Sequence, residues 1–312
     1  MKKMVNSKMT TKRNLTLLTS TTSVLLSLVL TACGGGGGGS KSTPTPPVEQ
    51  PVQCAGMSLD GGYECLTVSN RDSLIYQPAG QDAQGIALFL HGAPGTPNKV
   101  AKIFDAKMLA DSYNLVAISP KGNASVWGWQ SNNSGQDVAN SDTDYLAELI
   151  TQVKADYNVS SDKLYIFGYS AGGFMAYKLA CAMPEQITAI VSLAGQYRGD
   201  LAACTTSTPV NLHHFHSPTD GDVPFDGREF GNILSVDDTI AHWQTKNGCD
   251  LSTQNIEQSG VINSSQQTIT ERYQNCAKSL ALSKMTNVPH EANYQAQALL
   301  DIYGYLLDSG GN

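Results

Sequence analysis

Six short apolar runs recur along the chain, and the segments between them carry helical periodicity. IALFL (86–90), LVAIS (115–119), LYIF (164–167), AIVSL (189–193), VNLHHFH (210–216) and SLALSKM (279–285) read as strands. Apolar side chains at successive positions indicate that most of these strands are covered on both faces, unlike the alternation of a half-exposed strand. NKVAKIFDAKMLADSY (98–113), DTDYLAELITQVKADY (142–157), GGFMAYKLACAMP (172–184), DDTIAHWQTKNG (237–248) and EANYQAQALLDIYGYLLD (291–308) read as helices. Regular strand–helix alternation predicts an α/β domain with a mostly parallel sheet, helices on both faces and function at the carboxyl ends of the strands.

The first 51 residues stand outside this pattern. MKKMVNSKMTTKRN holds five Lys/Arg and no acid, and LTLLTSTTSVLLSLVL after it is apolar enough for a secretory core. Leu30-Thr31-Ala32-Cys33 has the form of a bacterial lipobox. Residues 1–32 are therefore expected to be a lipoprotein signal peptide and Cys33 to carry the lipid. Gly34 rather than Asp after the cysteine favours the outer membrane, on its periplasmic or cell-surface face. Residues 33–51, rich in Gly and Pro, read as a flexible tether.

Residues 52–312 remain as the α/β domain, 261 of the 312 residues and enough for a sizeable core. Without the five leader cations the formal charge falls from −7 to −12, which argues against nucleic acid as a partner. Six cysteines follow Cys33, an even number suited to disulfides in an exported chain. Neighbour pairing is expected, Cys54–Cys65, Cys181–Cys204 and Cys249–Cys276, because each pair spans a loop-sized segment. No C-x-x-C occurs, so neither a zinc ribbon nor a redox dithiol is indicated.

The sharpest local signal is FGYSAGG (167–173), a G-x-S-x-G between a strand and a helix. In that context the serine sits on a strained turn, and Gly168 and Gly172 leave room for the crowded backbone. Ser170 is thus the candidate nucleophile. It needs a histidine to take its proton and a carboxylate to orient that histidine, with chain order Ser, acid, His.

Five histidines lie downstream of Ser170. His213, His214 and His216 fall in a strand and His242 in a helix, whereas His290 stands in the loop NVPHEAN at a strand's carboxyl end. His290 is the candidate base. SPTDGDVPFDG after VNLHHFH offers the acid, with Asp220 first and Asp222 the alternative. HHFH could suggest a metal, but strand alternation puts His214 and His216 on one face and His213 on the other. Buried, hydrogen-bonded histidines are the expectation, with no metal and no cofactor.

A tetrahedral intermediate also needs N–H donors. Ala171, directly after the nucleophile, supplies one, and Ala93 in the loop HGAPG (91–95) the other, since Pro94 has no N–H. His91, Gly92 and Tyr169 are expected to border the substrate. Trp127 and Trp129 in SVWGWQ (125–130) could form an aromatic platform, the alternative being that they pack beneath the loop.

These segments together resemble secreted bacterial α/β-hydrolases of the polyhydroxybutyrate depolymerase and feruloyl esterase type. The resemblance runs over residues 60–300. It rests on LFLHGAPG, on the stretch DVANSDTDYLAELITQVKADYNVSSDKLYIFGYSAGGFMAYKLAC, on HFHSPTDGDVPFDG, and on HWQTKNGC followed by YQNCAKS. It implies an α/β-hydrolase fold and a serine esterase without cofactor or protein partner. It puts the triad acid of His-Gly-x-x-Asp-x-x-Val-Pro on Asp220 and favours a Cys249–Cys276 disulfide. Two departures stand out. Ser217 replaces the glycine after His216, and NVPHEAN lacks the glycines and tryptophan of Gly-x-Gly-His-x-Trp-Pro. The expected substrates are small or aromatic-acyl (feruloyl or acetyl) esters, or polyhydroxyalkanoate oligomers. The rival expectations are a serine peptidase of the prolyl-oligopeptidase type and a surface binding protein that keeps the fold without turnover.

Overall fold

All six apolar runs lie side by side as the parallel middle of one sheet. A computed structural model of the protein describes residues 53–59, 61–80, 82–123, 127–128 and 141–308, all within the unit Gln50–Asn312. The leader, Cys33 and Trp129 lie outside the described residues. The strands are β1 (Gln53–Cys54), β2 (Met57–Ser58), β3 (Glu64–Val68), β4 (Arg71–Tyr76), β5 (Ile86–Leu90), β6 (Val116–Pro120), β7 (Leu164–Tyr169), β8 (Ala189–Leu193), β9 (Asn211–His216), β10 (Thr253–Ser259), β11 (Gln267–Tyr273) and β12 (Leu280–Met285). The helices are α1 (Pro97–Ile103), α2 (Ala106–Tyr113), α3 (Ser141–Asp156), α4 (Ala171–Ala182), α5 (Val236–Lys246), α6 (Ala296–Tyr303) and α7 (Tyr305–Asp308).

Apart from a small β1–β2 ribbon, the strands form one ten-stranded sheet in the order β10-β11-β12-β9-β8-β7-β5-β6-β4-β3. Pairing is parallel from β12 through β6 and antiparallel at both margins. The chain passes from β5 to β6 on one side, then crosses back to lay β7 on the other. This reversal opens a crevice at the carboxyl ends of β5 and β7, where ligands bind in open α/β sheets. The register pairs Leu90 with Gly168, so the loop after β5 and the turn after β7 emerge next to each other.

Residues of the parallel strands alternate between two cores. One gathers Leu88, Leu90, Ile166 and Leu212 under α3, α4 and α5; the other gathers Phe89, Phe167 and Phe215 under α1, α2, α6 and α7. In the second core Phe167 meets Phe89, Phe104 and Tyr303 at centroid separations of 5.0, 5.5 and 5.5 Å. Each such buried aromatic contributes about 2 kcal/mol or more in area removed from water, which docks α6 firmly against the sheet.

Two expected helices differ in extent. The run 98–113 breaks into α1 and α2 at Asp105, whose φ is +46° and whose carboxylate accepts the Met108 N–H. A short acidic side chain that can cap a new helix competes well with continuing the old one. The run 291–308 starts as helix only at Ala296, leaving Glu291–Gln295 as loop, and divides at Gly304 into α6 and α7.

Four strands of the large sheet carry no apolar run. β3 and β4 are joined by Ser69 and Asn70, both with positive φ, the geometry of a two-residue hairpin turn. β10 is an edge strand, TQNIEQS, with most of its side chains in solvent. The neighbour-paired disulfides Cys54–Cys65, Cys181–Cys204 and Cys249–Cys276 are all present.

Candidate active site

Ser170 sits where β7 turns into α4, with φ +54° and ψ −117°. A side-chain residue in this region is strained, and the surroundings hold it there. The Ser170 N–H donates to Leu193 O at 2.8 Å, while Ser170 O accepts from the Gly173 and Phe174 N–H groups of α4. The neighbouring glycines are required by space. A Cβ at Gly168 would overlap Gly172 O, one at Gly172 would overlap Leu90 O, and one at Gly195 would overlap Ser170 O.

His290 Nε2 lies 2.9 Å from Ser170 Oγ, and His290 Nδ1 lies 2.7 Å from Asp220 Oδ2. With the carboxylate accepting from Nδ1–H, Nε2 is free to accept the serine proton. Ser170, Asp220 and His290 are 8%, 6% and 8% exposed, so the hydrogen bonds are shielded while the serine stays reachable. Asp220 Oδ1 accepts the N–H groups of Asp222 and Val223, each at 2.9 Å. Burial alone would raise the Asp220 pKa; the hydrogen bonds from His290 and the Val223 N–H outweigh it and hold the carboxyl below its usual value. Asp222 is exposed and meets Asp220 through its backbone, so the acid beside His290 is Asp220.

The loop carrying His290 is fixed from several sides. Its carbonyl accepts from the Tyr169 hydroxyl at 2.9 Å and from the Tyr294 hydroxyl at 3.2 Å. The Tyr169 ring also stacks on the His290 ring at 5.4 Å. Lys99 of α1 pairs with Glu291 at 2.5 Å, linking this loop to the helix that follows HGAPG. A cavity of about 420 Å³ opens here, with Lys99, Tyr169, Glu291 and Tyr294 in its wall. That volume falls in the range of small-molecule sites.

Gly92 backs directly onto the serine: a methyl there would come 3.3 Å from Ser170 Cβ. Ala93 follows at the exposed loop tip, before a cis Ala93–Pro94 peptide. Ala171 is the first residue of α4, where a helix N–H has no intrahelical acceptor.

Two expected substrate contacts are corrected. His91 is fully buried and spends both ring nitrogens on the backbone. Gly122 N–H donates to its Nε2 at 2.9 Å, and its Nδ1 donates to Gly92 O at 2.6 Å. Burial lowers its pKa and keeps the ring neutral. Trp127 is 2% exposed, its Nε1–H donates to His91 O at 2.8 Å, and its ring lies 4.8 Å from the His91 ring. Neither residue has surface left for a ligand; together they brace the HGAPG loop from below. Sequence periodicity has no hold on a loop, so which ring faces inward is not readable from it.

His213, His214 and His216 are all buried, with His214 and His216 stacked on one face and His213 against Ser283 and Phe215 on the other. Burial pushes His213 down to about 3, His216 down to about 4, and His214 well below its usual value. Among the described residues the group closest to metal-ligand geometry is Cys54, Cys65 and Asp72, and those two cysteines are joined in a disulfide.

Three neutral histidines make the fold acid-sensitive. Their folded pKa values lie below the unfolded value of about 6.5, so the unfolded chain binds protons first as pH falls. Their full contribution is present above about pH 6.5 and is lost on the way down to about 4 for His216 and about 3 for His213. Each group can remove up to about 1.4 kcal/mol per pH unit within that window. The urea midpoint should therefore drop markedly between pH 7 and pH 5, and an unchanged midpoint would mean these rings are not held neutral.

Residues 71–231, just over half of the 312-residue chain, match the phospholipase/carboxylesterase family. Among curated relatives, a probable feruloyl esterase C of Aspergillus clavatus is 33% identical over 115 residues, covering 36% of this chain and 38% of that protein. A bifunctional acetylxylan esterase/xylanase of Neocallimastix patriciarum is 26% identical over 153 residues, covering 49% of this chain and 22% of that protein. The chain thus spans less than half the length of either relative. An acetyl xylan esterase structure from Aspergillus awamori superposes with TM-score 0.54 at 18% identity, covering 78% of this chain and 100% of that one. A poly(3-hydroxybutyrate) depolymerase structure from Bordetella parapertussis gives TM-score 0.51 at 13% identity, covering 80% and 91%. At these identities the two structures speak to the fold alone. Sheet order, serine turn and family match agree: the chain belongs to the phospholipase/carboxylesterase family and has the α/β-hydrolase fold.

Proposed function

We propose that the protein is a serine carboxylic-ester hydrolase working through Ser170, His290 and Asp220. The observation that carries this reading is the continuous hydrogen-bonded run from Ser170 Oγ through His290 to Asp220, at 2.9 and 2.7 Å. Ser170 Oγ attacks the ester carbonyl carbon as His290 Nε2 takes the hydroxyl proton. The tetrahedral oxyanion is held by the N–H groups of Ala171 and Ala93. Collapse breaks the carbon–alkoxy bond, and His290 returns the proton to the leaving alcohol. Water then adds to the acyl-enzyme, giving its proton to His290, and release of the acid restores the serine hydroxyl. Asp220 keeps His290 in the tautomer this cycle needs and stabilises the imidazolium.

The proposed substrate class draws on the relatives, an acetylxylan esterase/xylanase and a probable feruloyl esterase C. Small or aromatic-acyl esters, feruloyl or acetyl, come first, and polyhydroxyalkanoate oligomers next. The lipid anchor at Cys33 would hold the domain to the outer membrane through the tether 34–51. Turnover of 4-nitrophenyl acetate, methyl ferulate and 3-hydroxybutyrate oligomers should be compared with that of aminoacyl 4-nitroanilides. The esters should be hydrolysed and the anilides left intact. Anilide cleavage matching the esters would favour a peptidase of the prolyl-oligopeptidase type, and no turnover of any ester would favour a binding protein.

A further inference from the structure

Behind the acid lies a second run of buried polar groups, and one of its ends fixes its direction. His216 Nε2 lies 2.8 Å from Val223 O. A carbonyl only accepts, so this nitrogen carries the proton, and in a neutral ring Nδ1 is then an acceptor. His214 Nε2, at 3.2 Å, donates to it. His214 Nδ1 is left to accept, and the Tyr177 hydroxyl at 2.9 Å donates. A single carbonyl thereby sets the tautomer of both histidines and the direction of the hydroxyl.

All three side chains are fully buried, and the two imidazoles lie within 12° of parallel. Burial keeps both rings neutral, as the one-donor, one-acceptor pattern requires. Packing alone does not account for them. Apolar side chains of similar volume would fill the space without the expense of desolvating two imidazoles, but they would leave Val223 O without the donor it has now.

The two ends of the run explain its use. Tyr177 belongs to α4, the helix that opens directly after Ser170. Val223 closes the turn whose N–H groups hold Asp220 Oδ1. His216 Nε2 also lies 3.7 Å from Asp220 Oδ2, the oxygen that accepts from His290. The run therefore ties the helix of the serine to the turn of the acid through the core.

We propose that Tyr177, His214 and His216 are positioning residues: a one-way run of neutral hydrogen bonds that fixes the turn 220–223 and aims the Asp220 carboxylate at His290. The proposal rests on the triad reading above. All three side chains are fully buried and offer no surface to a substrate, so they act by holding the turn of Asp220.

Tyr177→Phe deletes one hydroxyl and keeps the ring. His214 can then protonate on Nδ1, which turns the Nε2 lone pair toward that of His216 and removes the direction of the run. With 4-nitrophenyl acetate this variant should lose about fivefold in kcat at unchanged KM. His216→Leu should lose more, on the order of tenfold to a hundredfold, again in kcat. His216→Gln keeps an N–H near the Nε2 position and should recover most of that loss. Because the groups act as a unit, Tyr177→Phe combined with His216→Leu should be no worse than His216→Leu alone. The low-field proton resonance of His290 Nδ1–H, shared with Asp220, should shift or broaden in Tyr177→Phe and His216→Leu.

Folded Tyr177→Phe and His216→Leu variants with the parent's kcat, KM and low-field resonance would overturn the proposal. So would equal losses in His216→Gln and His216→Leu. If His216→Leu does not fold, Tyr177→Phe and His216→Gln carry the test. A parent protein that neither turns over the ester nor reacts with a fluorophosphonate would instead remove the triad reading, and this proposal with it.

Discussion

Ser170→Ala should reduce kcat/KM for an activated ester by at least about 10⁴-fold, because the covalent step has no other nucleophile to pass through. The residual rate should reflect what the oxyanion donors and substrate positioning supply without the serine. The fold should survive the change. Ser170 contributes one side-chain hydrogen bond, to His290 Nε2, and its backbone bonds to Leu193, Gly173 and Phe174 persist in alanine. Circular dichroism and the urea midpoint should stay near parent values, while ester turnover measured on the same sample falls to background. A variant that keeps more than a tenth of the parent rate would place the chemistry elsewhere.

Gly172→Ala should damage both fold and activity. Gly172 is the second residue of α4 and lies against β5, where an added Cβ would overlap the Leu90 carbonyl oxygen and press on its carbon. Backbone, not a flexible side chain, is in the way, so helix or strand must move. Overpacking of this kind costs about 1–3 kcal/mol. Helix α4 also carries Ala171, and β5 leads into the loop of Gly92 and Ala93, so the shift separates the two proposed oxyanion donors. A displacement near 1 Å can cost about 10²-fold in rate. At temperatures where the variant is still folded, kcat should therefore remain depressed by roughly that factor. Full activity in the folded variant would show that the tight approach of α4 to β5 is not what sets the site.

Much of this arrangement is legible in the residues themselves. Continuous apolar runs such as IALFL have no stable home except a sheet covered on both faces, and the parallel middle of the sheet is made of those runs. FGYSAGG reads as a crowded strand–helix turn from its glycines, and the structure bears this out, since a Cβ at Gly168 would overlap the Gly172 carbonyl and one at Gly172 the Leu90 carbonyl. His290 stands out by its place in a loop, and the structure sets it between Ser170 and Asp220. The alternation in HHFH separates His213 from His214 and His216.

What stays hidden has a common physical origin. The β3–β4 and β10–β11 hairpins lie at the margins of the sheet, where short or mixed segments such as ECLTV, RDSLIY and TQNIEQS lack the continuous apolar pattern of the middle strands. Asp105 breaks a helical run by capping the next helix, a local choice that periodicity smooths over. His91 and Trp127 lie in a loop region whose inward side is set by contacts with distant residues. The run from Tyr177 to Val223 joins segments 46 residues apart, and sequence spacing holds no trace of such a meeting. One clue is present: His216 is the last residue of β9 and stands four before Asp220, so its side chain has to end near the acid.

The central claim is that Ser170 is an activated nucleophile, and a fluorophosphonate probe tests it without a guess at the natural ester. The full chain should be labelled, digested and mapped by peptide mass spectrometry. The expected result is a single adduct on Ser170 that is lost in His290→Ala. A folded protein that forms no adduct, or one labelled equally well without His290, would contradict it.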